Sequence, residues 1–312
     1  MIRACLLLLA ILCSCRPAPT ELEVVRRTRL AAAPSGSALL LRGDTAYLVG
    51  DDATGVYRFQ AGDSSVQKLP VAGLDYHLFR EPRARKHDFE ASVWIESATG
   101  PTLIALGSGS RNTNCDSALS WPLNHPGTAR ILSLEKVYEA LRQRSAIAQG
   151  AWNIEGAALA GDTLYLFNRG SNSVFAFPIA HLLRSINSDT VFLPSVRVRQ
   201  LQLPTIRGKA ARVSGACTLN ESQLLICASV EDTHDWTRDG EVLGSFIGVY
   251  SVHEGRLLKT WLLRDDKGLP RKEKVESLDL LRRNNDGSLQ VLAVADNDDG
   301  ASTLLELRLP PP

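Results

Sequence analysis

The 312 residues carry 35 Lys and Arg against 34 Asp and Glu, with 44% hydrophobic and 22% charged residues. That is a globular make-up with ample core material, enough for one large all-β domain or two ordinary ones. A formal net charge of +1 supplies no field to steer nucleic acid, so no nucleic-acid partner is expected.

At the N-terminus one charge, Arg3, precedes an apolar run from Ala4 to Leu12. The run is far short of the ~20 apolar residues that span a bilayer. It ends in Leu12-Cys13-Ser14-Cys15, which resembles the lipobox of bacterial lipoproteins, with Cys13 a slight departure. The resemblance implies cleavage before Cys15, diacylation of its thiol, and anchoring in a membrane outside the cytoplasm. An ordinary secretory signal peptide is the alternative, and it also exports the chain. The expected organisation is a signal peptide over 1–14, a tether over 15–21 and one domain over 22–312. The remaining cysteines are Cys115, Cys217 and Cys227. Cys217 and Cys227 flank a turn, where a cross-strand disulfide and two buried thiols both fit. No CxxC or Cys/His cluster has zinc spacing.

From Leu22 the chain reads as a strand, "LEVVRRTRLA", and then repeats itself. The copies open "SGSALLLRGDTAYLVGDD" at Ser35, "EASVWIESATGPTLIALGSGSR" at Glu90, "EGAALAGDTLYLFNRG" at Glu155, "SGACTLNESQLLICASVED" at Ser214 and "ESLDLLRRNNDGSLQVLAVADND" at Glu276. These heads are spaced 55, 65, 59 and 62 residues apart. Each copy has a Glu or Ser head, small or apolar residues, a strand, a turn and a second strand. A third strand follows ("GVYRFQ", "ARILSL", "SVFAFPI", "IGVYSV", "TLLELRL"), and in most copies a fourth. Four antiparallel strands per unit predict an all-β fold, a single β-propeller of five blades. A sixth blade would have to come from 71–87 or 134–150. The second stretch has apolar residues at helical spacing (Leu134, Val137, Tyr138, Leu141) and reads as a surface helix or a distorted outer strand. The fifth copy has three strands, and the strand at Leu22 is expected to complete it and close the ring.

In such blades the start of strand one and the end of strand two lie at one mouth of the central channel. This mouth is expected to gather Ser35, Glu90, Glu155, Ser214 and Glu276 with Asp51-Asp52, Ser108 to Arg111, Asn168-Arg169, Glu231-Asp232 and Asp296 to Asp298. Lys86, His87, Asp88, Asn153, Arg212 and Lys274 precede the heads. The opposite mouth receives ordinary turns. Carboxylates that converge on one axis need cations, amides or water. Oxygen ligands suit Ca²⁺ better than zinc, with Glu90, Asn153, Glu155, Glu276 and Asp296 as the candidate set. Pairing with Arg111, Arg169 or Lys274 is the alternative. His87 beside Asp88 is a candidate acid/base pair or a solvated loop pair. The run Asp232, His234, Asp235 matches no metal spacing, and "GSGSRN" at 107–112 is a phosphate-cradling turn in composition but no P-loop. No GxSxG elbow is present.

The heads "FEAS", "IEGA" and "VESL", above all "HDFEA" at 87–91 and "NIEGA" at 153–157, resemble the D-h-E-G strand heads of phytase-like esterase propellers and related exported lipoproteins of unknown function. The resemblance implies an acidic, calcium-dependent centre acting on a phosphorylated or otherwise polar substrate. The chain is also similar to gluconolactonase-type propellers, in which Glu, Asn and Asp hold an axial metal. It departs from both at Ser35 and Ser214, which stand where acids are expected. The expectation is a monomeric, lipid-anchored binding propeller whose mouth (Glu90, Arg111, Asn168, Arg169, Ser214, Glu231, Asp232) takes a small polar ligand or an envelope protein. A calcium-dependent phosphoesterase or lactonase at the same mouth is the alternative.

Overall fold

The computed structural model describes residues 18–110, 113–188, 190–233, 240–297 and 299–312. The expected signal peptide with Cys15, and also Arg111, His234, Asp235 and Asp298, lie outside the described residues.

Alternating burial along short β-branched segments resolves the chain into five four-stranded antiparallel sheets. Strand β1 (Glu23–Leu30) comes first. Blade one is β2 (Gly36–Arg42), β3 (Thr45–Gly50), β4 (Val56–Gln60) and β5 (Gln67–Leu69); blade two is β6 (Phe89–Ile95), β7 (Thr102–Gly107), β8 (Ser117–Pro122) and β9 (Arg130–Ser133). Helix α1 (Glu135–Ser145) leads to blade three: β10 (Ile154–Ala160), β11 (Thr163–Asn168), β12 (Ser173–Pro178), helix α2 (Ile179–Ile186) and β13 (Arg197–Gln200). A small hairpin, β14 (Thr205–Ile206) and β15 (Lys209–Ala210), precedes blade four: β16 (Arg212–Asn220), β17 (Gln223–Asp232), β18 (Glu241–Ser251) and β19 (Arg256–Leu262). Blade five is β20 (Val275–Arg283), β21 (Leu289–Asp296) and β22 (Ser302–Leu309), completed on its outside by β1. The β1–β22 ladder runs from Glu23↔Arg308 to Leu30↔Ser302, so the first strand completes the last blade and covers the outer edge of β22.

Between each pair of neighbouring blades lies a separate apolar core. Tyr47, Phe89 and Trp121 fill the space between blades one and two, and Trp152, Leu166 and Phe175 between two and three. Phe167 and Tyr250 fill the next, Val249 and Leu305 the fourth, and Tyr57, Leu48 and Val294 the seam between five and one. Each side chain of this size contributes about 1.5–3 kcal/mol on burial, so five such seams account for a rigid ring.

Inner strands crowd the axis. A Cβ on Gly215 of β16 would stand 2.6 Å from the Glu276 carbonyl oxygen and 2.9 Å from Ser277 Cα of β20. One on Gly156 of β10 would stand 3.1 Å from the Gly215 carbonyl carbon. Only glycine admits that approach. Side chains also bridge inner strands: Leu39 N donates to Ser277 Oγ (3.0 Å) and Leu41 N to Asp279 Oδ2 (2.6 Å).

One strand assignment differs from the sequence reading, and three points it left open are decided. The third strand of blade two is Ser117–Pro122, and "ARILS" is its fourth, because Ala118, Leu119 and Trp121 supply the burial that the serines conceal. Residues 134–150 hold a helix whose Val137, Tyr138 and Leu141 enter the core between blades two and three, and 71–87 hold no strand, so the ring has five blades. Cys217 and Cys227 are free and buried; the register sets them opposite Leu225 and Gly215 rather than each other. No helix among the described residues is long and apolar enough to cross a membrane.

Candidate functional site: a bulge-built ring at one channel mouth

At the start of every inner strand the register slips by one residue against strand two. The residues left over are Ser37, Glu90, Glu155, Ser214 and Glu276. A β-bulge re-aims the extra side chain, and five repetitions of it set three carboxylates and two hydroxyls around the axis. In blade one the bulged residue is Ser37, two positions beyond the expected head Ser35. Ser35 corresponds instead to Asp88 of blade two, and both hold a left-handed backbone (φ 48° and 58°) that non-glycine residues seldom adopt.

Blades three to five share one ion-pair network. Arg169, at the end of β11, reaches Glu155 Oε2 (3.1 Å), Ser229 Oγ (3.1 Å) and Glu231 Oε2. Asn153 Nδ2 donates to Glu155 Oε1 (2.6 Å). Lys274 Nζ stands 3.1 Å from Glu276 Oε1 and 3.7 Å from Glu231 Oε1. The Arg169 side chain is 3% exposed and that of Glu231 5%, so these charges meet in a medium where their attraction is little screened. Burial pushes the Glu155 carboxyl up to about 7 even though Arg169 pulls it down and Glu276 adds to the rise. Burial raises Glu276 as well, against Lys274 and Arg169. Burial disfavours charge on Arg169 and on Lys274, yet Glu155, Glu231 and Glu276 outweigh it and hold both pKa values above the ordinary range.

Blades one and two form a second group. Lys86 Nζ lies 2.5 Å from both Asp51 Oδ2 and Asp88 Oδ1, and Ser108 Oγ donates to Asp88 Oδ2. Asp51, Asp88 and Glu90 each offer an oxygen within 4.8 Å of the others. Glu90 is partly buried and has no hydrogen-bond or ion-pair partner among the described residues. Burial, then the charges of Asp88 and Glu155, raise its carboxyl well above the usual range. That field ties the two groups together: Glu90 feels Glu155 and Glu276 across the axis.

His87 does not pair with Asp88. Its Nδ1 meets Ser117 Oγ at 2.9 Å, its ring stacks on Phe89 at 5.3 Å, and burial lowers its pKa. Asn168 is fully buried and spends its amide on Asn153 N, Ala151 O and Ser171 Oγ, which fixes the β11 turn. Ser214 donates to the Val275 carbonyl (2.5 Å) and so links blade four to blade five. Asp232 meets Lys209 of the hairpin at 2.8 Å. Asp296 lines a pocket of about 670 Å³ with Arg27, Arg207, Arg271 and Lys274.

Two contributors escaped sequence reasoning. Ser229 follows from strand alternation, since it shares a face with Glu231 two residues on. The β14–β15 hairpin turns at Arg207-Gly208 (φ 51° and 77°), a two-residue turn signal within "TIRGKA". It separates the 670 Å³ pocket from a second of about 290 Å³, lined by Arg169, Lys209, Arg212, Ser229, Glu231 and Thr233 among others.

Solved structures similar in fold include Myxococcus xanthus glutaminyl cyclase (8% identity over 95% of this chain and 99% of that one, TM-score 0.49). Others are the calcium-binding protein regucalcin from Agrobacterium tumefaciens (11%, 91% and 95%, TM-score 0.41) and the WD40 repeats of RRP9 (12%, 94% and 99%, TM-score 0.41). At these identities the likeness concerns the fold alone. No curated protein matches the chain. The profile of DUF6929, a family of unknown function, matches residues 32–309, and the chain belongs to that family.

Proposed function

We propose that this chain is an exported, lipid-anchored binding propeller whose bulge-lined mouth takes a small polar ligand. The observation that carries the reading is the Arg169–Glu155–Glu231–Lys274–Glu276 network. It places buried, mutually compensated charges at the edge of two pockets, on loops and strand ends held by a rigid ring. Buried ion pairs add little net stability over apolar packing, so their presence here points to recognition rather than to folding. The test is a thermal-shift and calorimetric survey of polar metabolites on the purified protein, alongside capture of envelope proteins. Binding of a small ligand that fails in Glu231→Gln supports the reading. Capture of a protein partner with no small-ligand response replaces it with the partner reading. Membrane anchoring through Cys15 is tested by fractionating cells that express Cys15→Ser, which should move the protein from the membrane to the soluble fraction.

A second reading, a calcium-dependent phosphoesterase or lactonase, draws on the three oxygens of Asp51, Asp88 and Glu90. Against it, Lys86 already sits between Asp51 and Asp88, while Arg169 and Lys274 serve Glu155 and Glu276. An ion would have to displace an ammonium group, so these residues fit a resident cation poorly. Calcium-dependent stabilisation together with turnover of a generic phosphoester or lactone would favour this reading over binding alone.

A further inference from the structure

The pocket of about 670 Å³ between blades four and five has two unlike sides that together name a ligand class, an inference that rests on the reading of this mouth as a ligand site. One side is apolar, formed by Ile206, Val242, Leu243, Leu269 and Pro270, with Leu269 59% exposed. A Cβ on Gly244 would stand 3.0 Å from Ile206 Cδ1, 3.2 Å from Pro270 Cβ and 3.6 Å from the Arg271 carbonyl oxygen. The β14–β15 hairpin and the loop before β20 therefore meet at that point, and Arg207 and Arg271, the next residue in each, flank the apolar side. The other side is charged, and its carboxylates already have partners. Glu273 pairs with Arg27, Asp265 accepts from the backbone N–H groups of Lys267 and Leu269 (both 2.9 Å), and Asp296 is engaged as well. Lys272 pairs with Glu241, and Lys274 with Glu231 and Glu276. Two guanidinium groups remain. Arg207 is exposed and makes no hydrogen bond or ion pair among the described residues. The Arg271 side chain is 17% exposed and its Nε donates to the Arg264 carbonyl oxygen (3.3 Å), which steadies it. Its carboxylate partner, Asp266, is fully exposed and 3.6 Å away, a solvated pair of little strength.

We propose that this pocket binds an organic anion with an apolar body. The body lies against Leu269, Leu243 and Ile206, and the anionic group meets Arg207 and Arg271, whose planar forks match a carboxylate or a phosphate. Acetate or inorganic phosphate would meet the arginines and leave the apolar side in water. A neutral apolar molecule would cover that side and leave the guanidinium groups unanswered. The volume falls in the range that encloses drug-sized ligands, so one ring or a short acyl chain fits.

The test is isothermal titration of the purified full chain with hexanoate, 3-phenylpropionate and hexyl phosphate. Hexanamide, 3-phenylpropionamide and hexanol are the uncharged controls, and acetate and inorganic phosphate the controls without a body. At least one of the three anions should bind at least about tenfold tighter than both its uncharged and its bodiless control. The carboxylate and phosphate arms decide the head group. Arg207→Gln should weaken binding about tenfold. Leu269→Asp should abolish it, by removing part of the apolar side and adding a negative charge. Both positions are exposed, and the bonds of Leu269 to Asp265 run through its backbone, so both variants should fold. Arg130→Gln, which removes the same charge from the outer strand of blade two, should change nothing. Equal binding of an amide and its acid, or binding indifferent to either pocket variant, overturns this inference. So does silence across this panel when the polar-metabolite survey finds a ligand, and the mouth reading then stands on that ligand. Silence in both overturns both.

Discussion

Replacing Arg169 by Met probes the network at its hub. The side chain is 3% exposed and serves two carboxylates, Glu155 and Glu231, as well as the Ser229 hydroxyl. Met replaces the aliphatic stem and drops the guanidinium, so the loss is chiefly that of the charge and its hydrogen bonds. Glu231 keeps Lys274 at 3.7 Å, but Glu155 keeps the Asn153 amide at 2.6 Å as its one hydrogen-bond partner among the described residues. Removing one partner of a buried pair costs about 3–5 kcal/mol, because the survivor is stranded. At about 2–4 °C per kcal/mol for a domain of this order, Tm should fall by roughly 6–20 °C at neutral pH. The loss should shrink at pH 5, where Glu155 is protonated and needs no counter-ion. Adding Glu155→Gln and Glu231→Gln to Arg169→Met should restore most of the stability. Urea titration and calorimetry at both pH values read the effect. A loss below about 1 kcal/mol at pH 7, the scale of a solvated surface pair, would show that these charges are not buried together.

Other outcomes follow from the same geometry. The folded state holds the Glu155 proton more tightly than the unfolded chain does, so this carboxyl's contribution is full below about pH 4.5 and is lost as pH rises through about 7. Glu155→Gln should therefore gain on the wild type between pH 5 and pH 8 in parallel denaturation curves, and parallel behaviour of the two would contradict the assignment. Gly215→Ala should destabilise by about 1–3 kcal/mol through collision with the Glu276 carbonyl, whereas Gly150→Ala, with no atom within 4 Å, should be silent in the same melt. Deleting residues 18–30 removes β1 and bares β22; size-exclusion chromatography should show aggregates that the intact chain does not form.

Much of the ring was legible because the repeat carries two independent signals, a spacing near sixty residues and a polar residue before each inner strand. The closing role of Leu22 to Leu30 followed from counting strands. What escaped depends on local context. Ser35 and Ser37 are chemically alike, so only the register shows which one occupies the bulge. "SALSWP" hides a strand among turn-forming residues, and the apolar run "IAHLLRSI" forms a helix between the last two strands of blade three. Topology pointed to the residues that converge and to Arg111, Arg169 and Lys274 as possible partners, but not to which carboxylate each cation meets. Whether Glu155 meets an ion or Arg169 depends on how far the two side chains reach at the end of one blade, which no spacing encodes. His87 and Asp88 show the converse, neighbours in sequence that turn to different partners.

The central claim is that bulge-borne glutamates from separate blades share one buried electrostatic site. Its most direct test is the titration of Glu155, followed by side-chain carboxyl NMR in the wild type and in Glu276→Gln. The account predicts an apparent pKa near 7 in the wild type and a lower one once the Glu276 charge is removed. A value near 4.5 that ignores the substitution would place the two carboxylates in separate, solvated surroundings and contradict the account.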